Sequence, residues 1–84
     1  MARSFQRHTF ELSGETFVGN HFPDAGAVSV FRERDRQFIA AYVFYDAAQA
    51  GVECPGYWHS IHSETSLSLL GRLEPAVTAL PLGH

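Results

Sequence analysis

A length of 84 residues points to one domain spanning 1–84, near the size where a single core is marginal and a second subunit is a common supplement. A content of 45% hydrophobic and 13% aromatic residues excludes a disordered chain. A formal charge of only −3, nine acids against six bases, excludes a strong field that would recruit nucleic acid or an anionic membrane.

No apolar run approaches the roughly 20 residues of a spanning helix, and the start MARSFQRHTF lacks the apolar centre of a signal peptide. A single cysteine, Cys54, cannot form an internal disulfide, which agrees with a reducing compartment. The expected location is therefore the cytoplasm.

The periodic pattern begins near Phe5. Along FQRHTFEL, His8, Phe10 and Leu12 share one strand face and Arg7, Thr9 and Glu11 the other, as in a half-buried strand. Ser13, Gly14 and Glu15 form a turn signal, and TFVGNHF follows as a second short strand, expected to be interrupted at Gly19 and Asn20. Pro23, Asp24 and Gly26 close this first hairpin.

The stretch from Ala27 to Asp46, AVSVFRERDRQFIAAYVFYD, holds the strongest pattern in the chain. Two runs rich in β-branched and aromatic residues flank the charged tip Arg32 to Arg36, and they read as a central hairpin over 27–45. In the return strand, strict alternation puts Phe38, Ala40, Tyr42 and Phe44 on one face and Ile39, Ala41, Val43 and Tyr45 on the other. Both faces are apolar. Such a strand is covered on both sides, and in so short a chain part of the cover is expected from a second copy.

Further on, DAAQAG reads as one helical turn, with Asp46 as cap and Gly51 as stop, and VECPGYWH, with Pro55 beside Gly56, reads as a turn or loop. In SIHSETSLSLLGRL, Leu67, Leu70 and Leu73 keep helical spacing behind a Ser63 cap. Alternation from Ile61 to Leu70 fits a strand as well. The helix is preferred of the two, Pro75 is expected to end it, and AVTALPLGH is left as an apolar tail. The fold class expected is α+β and β-rich, an antiparallel sheet of four to five strands built on the central hairpin with one or two short helices.

Four groups of residues could carry function. Cys54, His59, His62 and Glu64 offer thiolate, imidazole and carboxylate donors that suit zinc, with the two histidines at a spacing that shares one helical face. They lack the paired CxxC knuckle of a strong metal motif, so neither a metal nor another cofactor is expected. The second group surrounds His21. The run His21–Phe22–Pro23 within GNHFPD resembles the active-site segment of hot-dog-fold hydroxyacyl dehydratases, whose pattern is GHFP followed by a small residue and a PGV-like turn. That resemblance implies a histidine that acts on an acyl thioester. The match covers about five residues; Asn20 stands where the family has glycine, and the Val28 to Tyr45 hairpin stands where the family has its long central helix.

The third group is the tip, where Arg32, Arg34 and Arg36 would share a side if alternation ran through the turn, with Glu33 and Asp35 offsetting their charge. The fourth is Tyr42, Tyr45, Tyr57 and Trp58, aromatics with a polar tip of the kind enriched at interfaces. No catalytic set assembles from these residues. The expected function is a small soluble non-enzymatic binding or regulatory module, homodimeric, that meets a protein partner through Arg32, Arg34, Arg36, Tyr42, Tyr45, Tyr57 and Trp58. The alternatives are a metal-binding protein at Cys54, His59, His62 and Glu64 and a minimal thioester-processing enzyme at His21.

Overall fold

The computed structural model describes residues 5–45 and 56–81. Five strands form one antiparallel meander in sequence order, β1 (Gln6–Leu12), β2 (Glu15–Phe22), β3 (Ala27–Arg32), β4 (Gln37–Phe44) and β5 (Gly56–Ile61), followed by the helix α1 (Leu67–Thr78). The class is α+β and β-rich, as the sequence leads one to expect.

Local turn chemistry sets the register of the hairpins. Between β1 and β2, Ser13 and Gly14 both take positive φ, 52° and 81°, which is the two-residue connection whose twist matches that of the flanking strands. It brings Leu12 opposite Glu15 and Phe10 opposite Phe17. β2 runs without a break through Gly19 and Asn20, contrary to the interruption expected there. Gly19 serves packing instead: a Cβ would lie 3.1 Å from Val28 Cγ1 and 3.3 Å from Leu80 Cδ1, so its bare backbone receives the chain leaving α1. The turn Pro23–Gly26 is held by Ala25 N–H donating to the Phe22 carbonyl at 3.1 Å and Gly26 N–H to that of Pro23 at 3.2 Å.

The central hairpin forms where expected, with one departure. Val30 pairs with Ala40 and Phe31 with Phe38, so Ile39 is an extra residue on β4. This bulge places both Ile39 and Ala40 in the core and moves Phe38 to the other face, beside Phe31. Strict alternation, which grouped Phe38 with Ala40 and Tyr42 and Ile39 with Ala41 and Val43, fails at these two residues.

β5 corrects the reading of Gly56 to His59 as a loop. Gly56 opens the strand opposite Phe44, Tyr57 faces Val43 and Trp58 faces Tyr42, and a second irregularity at His59 precedes the pairing of Ser60 with Ala41. Gly56 is required by close backbone approach and not by a turn, since a Cβ there would overlap the Val43 carbonyl oxygen. The helical turn expected at 46–51 lies outside the described residues, as does Cys54.

α1 is a helix where strand and helix were both open, but its limits differ from expectation. Ser66, not Ser63, caps it, its hydroxyl accepting the Leu69 N–H at 3.1 Å. Leu70, Leu73 and Val77 are buried, whereas Leu67 is 84% exposed. Pro75 lies within the helix and does not end it. The proline and Gly71, four residues earlier, both lie on the exposed face. The Gly71 carbonyl, which loses its intrahelical partner at Pro75, is therefore on the side where water can reach it. The helix ends instead at Thr78, where Ala79 N–H reaches the Pro75 carbonyl at 3.1 Å.

The core lies between α1 and one face of the sheet. Phe17, Val28, Val30, Ile39, Ala40 and Tyr42 meet Leu70, Leu73 and Val77, with Phe10, Leu12, Phe44, Trp58, Leu69 and Leu80 around them. Among the described residues no helix is long and apolar enough to cross a membrane.

Candidate functional site

The pairing register orders the sheet face away from α1 into rows that run across the strands. One row is Phe22, Ala27, Val43 and Tyr57, extended by Phe5, whose ring lies 5.3 Å from that of Phe22, and by Tyr45, 5.6 Å from Tyr57. The next row is Arg7, Asn20, Ser29, Ala41 and Ser60. The third is Thr9, Val18, Phe31 and Phe38, with the last two rings edge to face at 5.5 Å. Two apolar ridges thus flank a trough of small and polar side chains. Among the described residues no element covers this face.

The aromatic residues singled out in the sequence divide between the two faces. Tyr45 and Tyr57 lie on the open face and are exposed. Tyr42, expected at the surface, is completely buried: its ring is edge to face with Phe44 at 5.2 Å and with Trp58 at 4.9 Å, and its hydroxyl donates to Glu74 Oε2 at 2.9 Å. Trp58 sits beside it on the core side, half-buried. Pairing through β4 and β5 sends them inward, because Val28 opposite Tyr42 is itself a core residue.

The three tip arginines do not share a side, because residues 33–36 turn and alternation stops at Arg32. Arg32 pairs with Asp35 through both Nε (3.1 Å to Oδ1) and Nη2 (2.9 Å to Oδ2), while Arg34 reaches Glu15 at 3.4 Å. Arg36 takes a positive φ of 57°. What strand pairing adds is Arg7 from β1: with Arg32, Arg36 and Glu33 it lines a cleft of about 480 Å³ whose other walls are Phe5, Val18, Asn20 and Phe31. The alternation of β1 placed Arg7 on a face, but only the register of β1 on β2 brings it near the tip. A second cleft, at the opposite end of the face, lies between the Pro23–Gly26 turn and Tyr45 and Tyr57.

Hydrogen bonding from Arg32 holds the Asp35 carboxyl at about 2, well below its ordinary 3.8, with the Gln37 N–H and the charges of Arg32 and Arg34 acting in the same direction. Because the folded value is the lower one, the pair favours the folded state fully above the ordinary value and loses that contribution as pH falls from about 3.8 towards 2. Asp35 is exposed, so the expected readout is titration more than stability. Carboxyl-carbon NMR should place the Asp35 midpoint near 2, and Arg32→Gln should return it towards 3.8. A midpoint unchanged by that substitution would show that the pair does not form in solution.

The histidines occupy different surroundings. His21 is buried on the core face of β2, with Nδ1 3.5 Å from Gln6 Oε1, and neither cleft is lined by it. His59 lies on β5 with Nδ1 2.9 Å from Ser60 Oγ, and His62 Nδ1 accepts the Glu64 N–H at 3.2 Å. Their spacing falls on a strand and its exit, and not on a helical face. Among the described residues no three His, Cys, Asp or Glu side chains gather where a metal ion could be held. Compared with known proteins, the chain matches no family model, no curated protein and no solved structure.

Proposed function

We propose that this chain is a non-enzymatic binding module that works by self-association, with the open sheet face of one copy stacked on that of a second. The observation that carries this reading is the row pattern of that face. A surface of ridge, trough and ridge can mesh with a copy of itself offset by one row, so that Phe31 and Phe38 of each chain enter the small-residue trough of the other. Stacked sheets interdigitate in this way about 10 Å apart. Size also supports it: the chain is a slab of 36 × 34 × 23 Å, and a stable interface needs roughly 800 Å² from each partner. Tyr45 and Tyr57 are the exposed anchors, and Arg34, at the rim, contributes to encounter more than to affinity.

Sedimentation at micromolar concentration is expected to give a dimer. Tyr57→Glu changes an exposed residue, so the subunit should keep its fold while the charge, desolvated against the partner, dissociates the pair. Charge reversal at Arg34 should leave the dimer intact and only slow its formation, in a salt-dependent way. A wild-type chain that sediments as a monomer at 100-fold higher concentration overturns the proposal.

A further inference from the structure

We infer that the cleft between β1 and the β3–β4 turn binds a small amphipathic oxyanion, a carboxylate or phosphate head on an apolar body. Arg7, Arg32 and Arg36 line this one cleft of a chain with net charge −3, and with Arg32 paired to Asp35 the lining still holds Arg7 and Arg36 against the acid Glu33. Such a concentration runs against the overall balance of charge. Arg32 stands opposite the core residue Phe17 and its guanidinium is held by Asp35 through Nε and Nη2, so Arg7 and Arg36 are the cations left to attract an oxyanion. The rest of the wall is apolar, Phe5, Val18 and Phe31, with the amide of Asn20 beside Arg7. At about 480 Å³ the space falls within the range of ligand pockets and exceeds what a bare inorganic anion would fill.

Arg36 supplies a separate argument. It closes the β3–β4 turn with φ 57°, a left-handed conformation in which glycine is unstrained and a long side chain is disfavoured. The turn would be better made by glycine, yet the residue present carries a guanidinium into the cleft lining. Strain retained at a residue that lines a cavity is the pattern of a position kept for binding.

The cleft belongs to a single chain, but it shares Arg7, Val18, Asn20 and Phe31 with the face proposed to stack on a second copy, so self-association competes with the ligand and the inference does not rest on it. Octanoate and octyl phosphate, each below its micelle concentration, would be titrated into the protein with amide shifts followed by NMR, and octanol and inorganic phosphate would serve as neutral and headgroup-only probes. Shifts are expected at Arg7, Asn20, Phe31 and Arg36 with one or both amphipathic anions, and binding at least tenfold weaker with octanol and with inorganic phosphate. Which anion binds more tightly identifies the headgroup. Arg7→Gln and Arg36→Gly should each weaken binding about tenfold, and Arg36→Gly should at the same time raise the melting temperature, which separates lost recognition from lost folding. Octanol binding as well as octanoate, or inorganic phosphate as well as octyl phosphate, overturns the inference, as does unchanged affinity in both arginine variants. Repeating the titration with the monomeric Tyr57→Glu chain separates the proposals: binding at least as tight as in the wild type supports the single-chain cleft, and binding lost in that monomer overturns it.

Discussion

Tyr42→Ala is expected to remove most of the stability of this protein. The side chain is fully buried on β4, one strand in from the edge, between Phe44 and Trp58 and beneath α1, where its hydroxyl meets Glu74. Emptying a site of this size costs about 3 to 5 kcal/mol, and a domain this small starts from the lower part of a range of about 5 to 15 kcal/mol. Urea unfolding of the variant should show a midpoint close to zero denaturant, with the far-ultraviolet signal already weakened in buffer. Tyr42→Phe keeps the ring and loses only the hydroxyl, so it should cost about 1 kcal/mol. An alanine variant within about 1 kcal/mol of wild type would mean that the pairing of β4 with β3 and β5 is off by one residue, since a one-residue slip is what would turn Tyr42 outward.

The second large effect is expected at Gly56→Ala, a change of one methyl group. There a Cβ would overlap the Val43 carbonyl oxygen and stand 2.8 Å from Tyr42 Cε2 and 2.9 Å from Phe44 Cα. Two of these neighbours are backbone atoms in the adjoining strand, so relief requires β4 and β5 to part. The cost should exceed the ordinary overpacking range of about 1 to 3 kcal/mol, and hydrogen exchange should locate it, with β5 amides losing protection before those of β1 to β3. A glycine needed only for a turn would tolerate the change if its φ were negative, and unchanged protection of β5 would support that simpler role.

Both results bear on function, because β5 carries Tyr57 and completes the open face. A variant that frees β5 is expected to weaken self-association as a consequence of folding, whereas Tyr57→Glu should weaken it with the fold intact. Comparing the two separates a surface that binds from a strand that merely has to be present.

Much of the sheet could be read from the sequence, because the period of two and the turn residues are local properties. FQRHTFEL alternates, Ser13–Gly14 supplies the left-handed pair, and the charged tip between two apolar runs can only be a hairpin; these features need no distant partner. The apolar character of both faces of β4 was legible for the same reason, and of the two covers it implies the one supplied by α1 is present. The elements that misled are those where a long-range contact overrides a local signal. Pro55–Gly56 carries the chemistry of a turn, but Gly56 is shaped by the backbone of β4, and the irregularity at His59 hides the alternation of β5. Pro75 carries the signal of a stop, but Leu73 and Val77 hold the helix to the sheet on either side of it.

The sequence by itself therefore determined the strands of the two hairpins, their turns and the surplus of apolar faces, all set by residues within a few positions of one another. Tertiary structure decided which aromatic residues face inward and which arginines meet. The inserted Ile39 changes the side on which Phe38 lies, register buries Tyr42 and leaves Tyr57 outside, and pairing of β1 on β2 carries Arg7 to the turn that holds Arg36. No periodicity encodes such neighbours, because they depend on where one strand stops sliding along another, and that position is set by the packing of the whole face beneath α1.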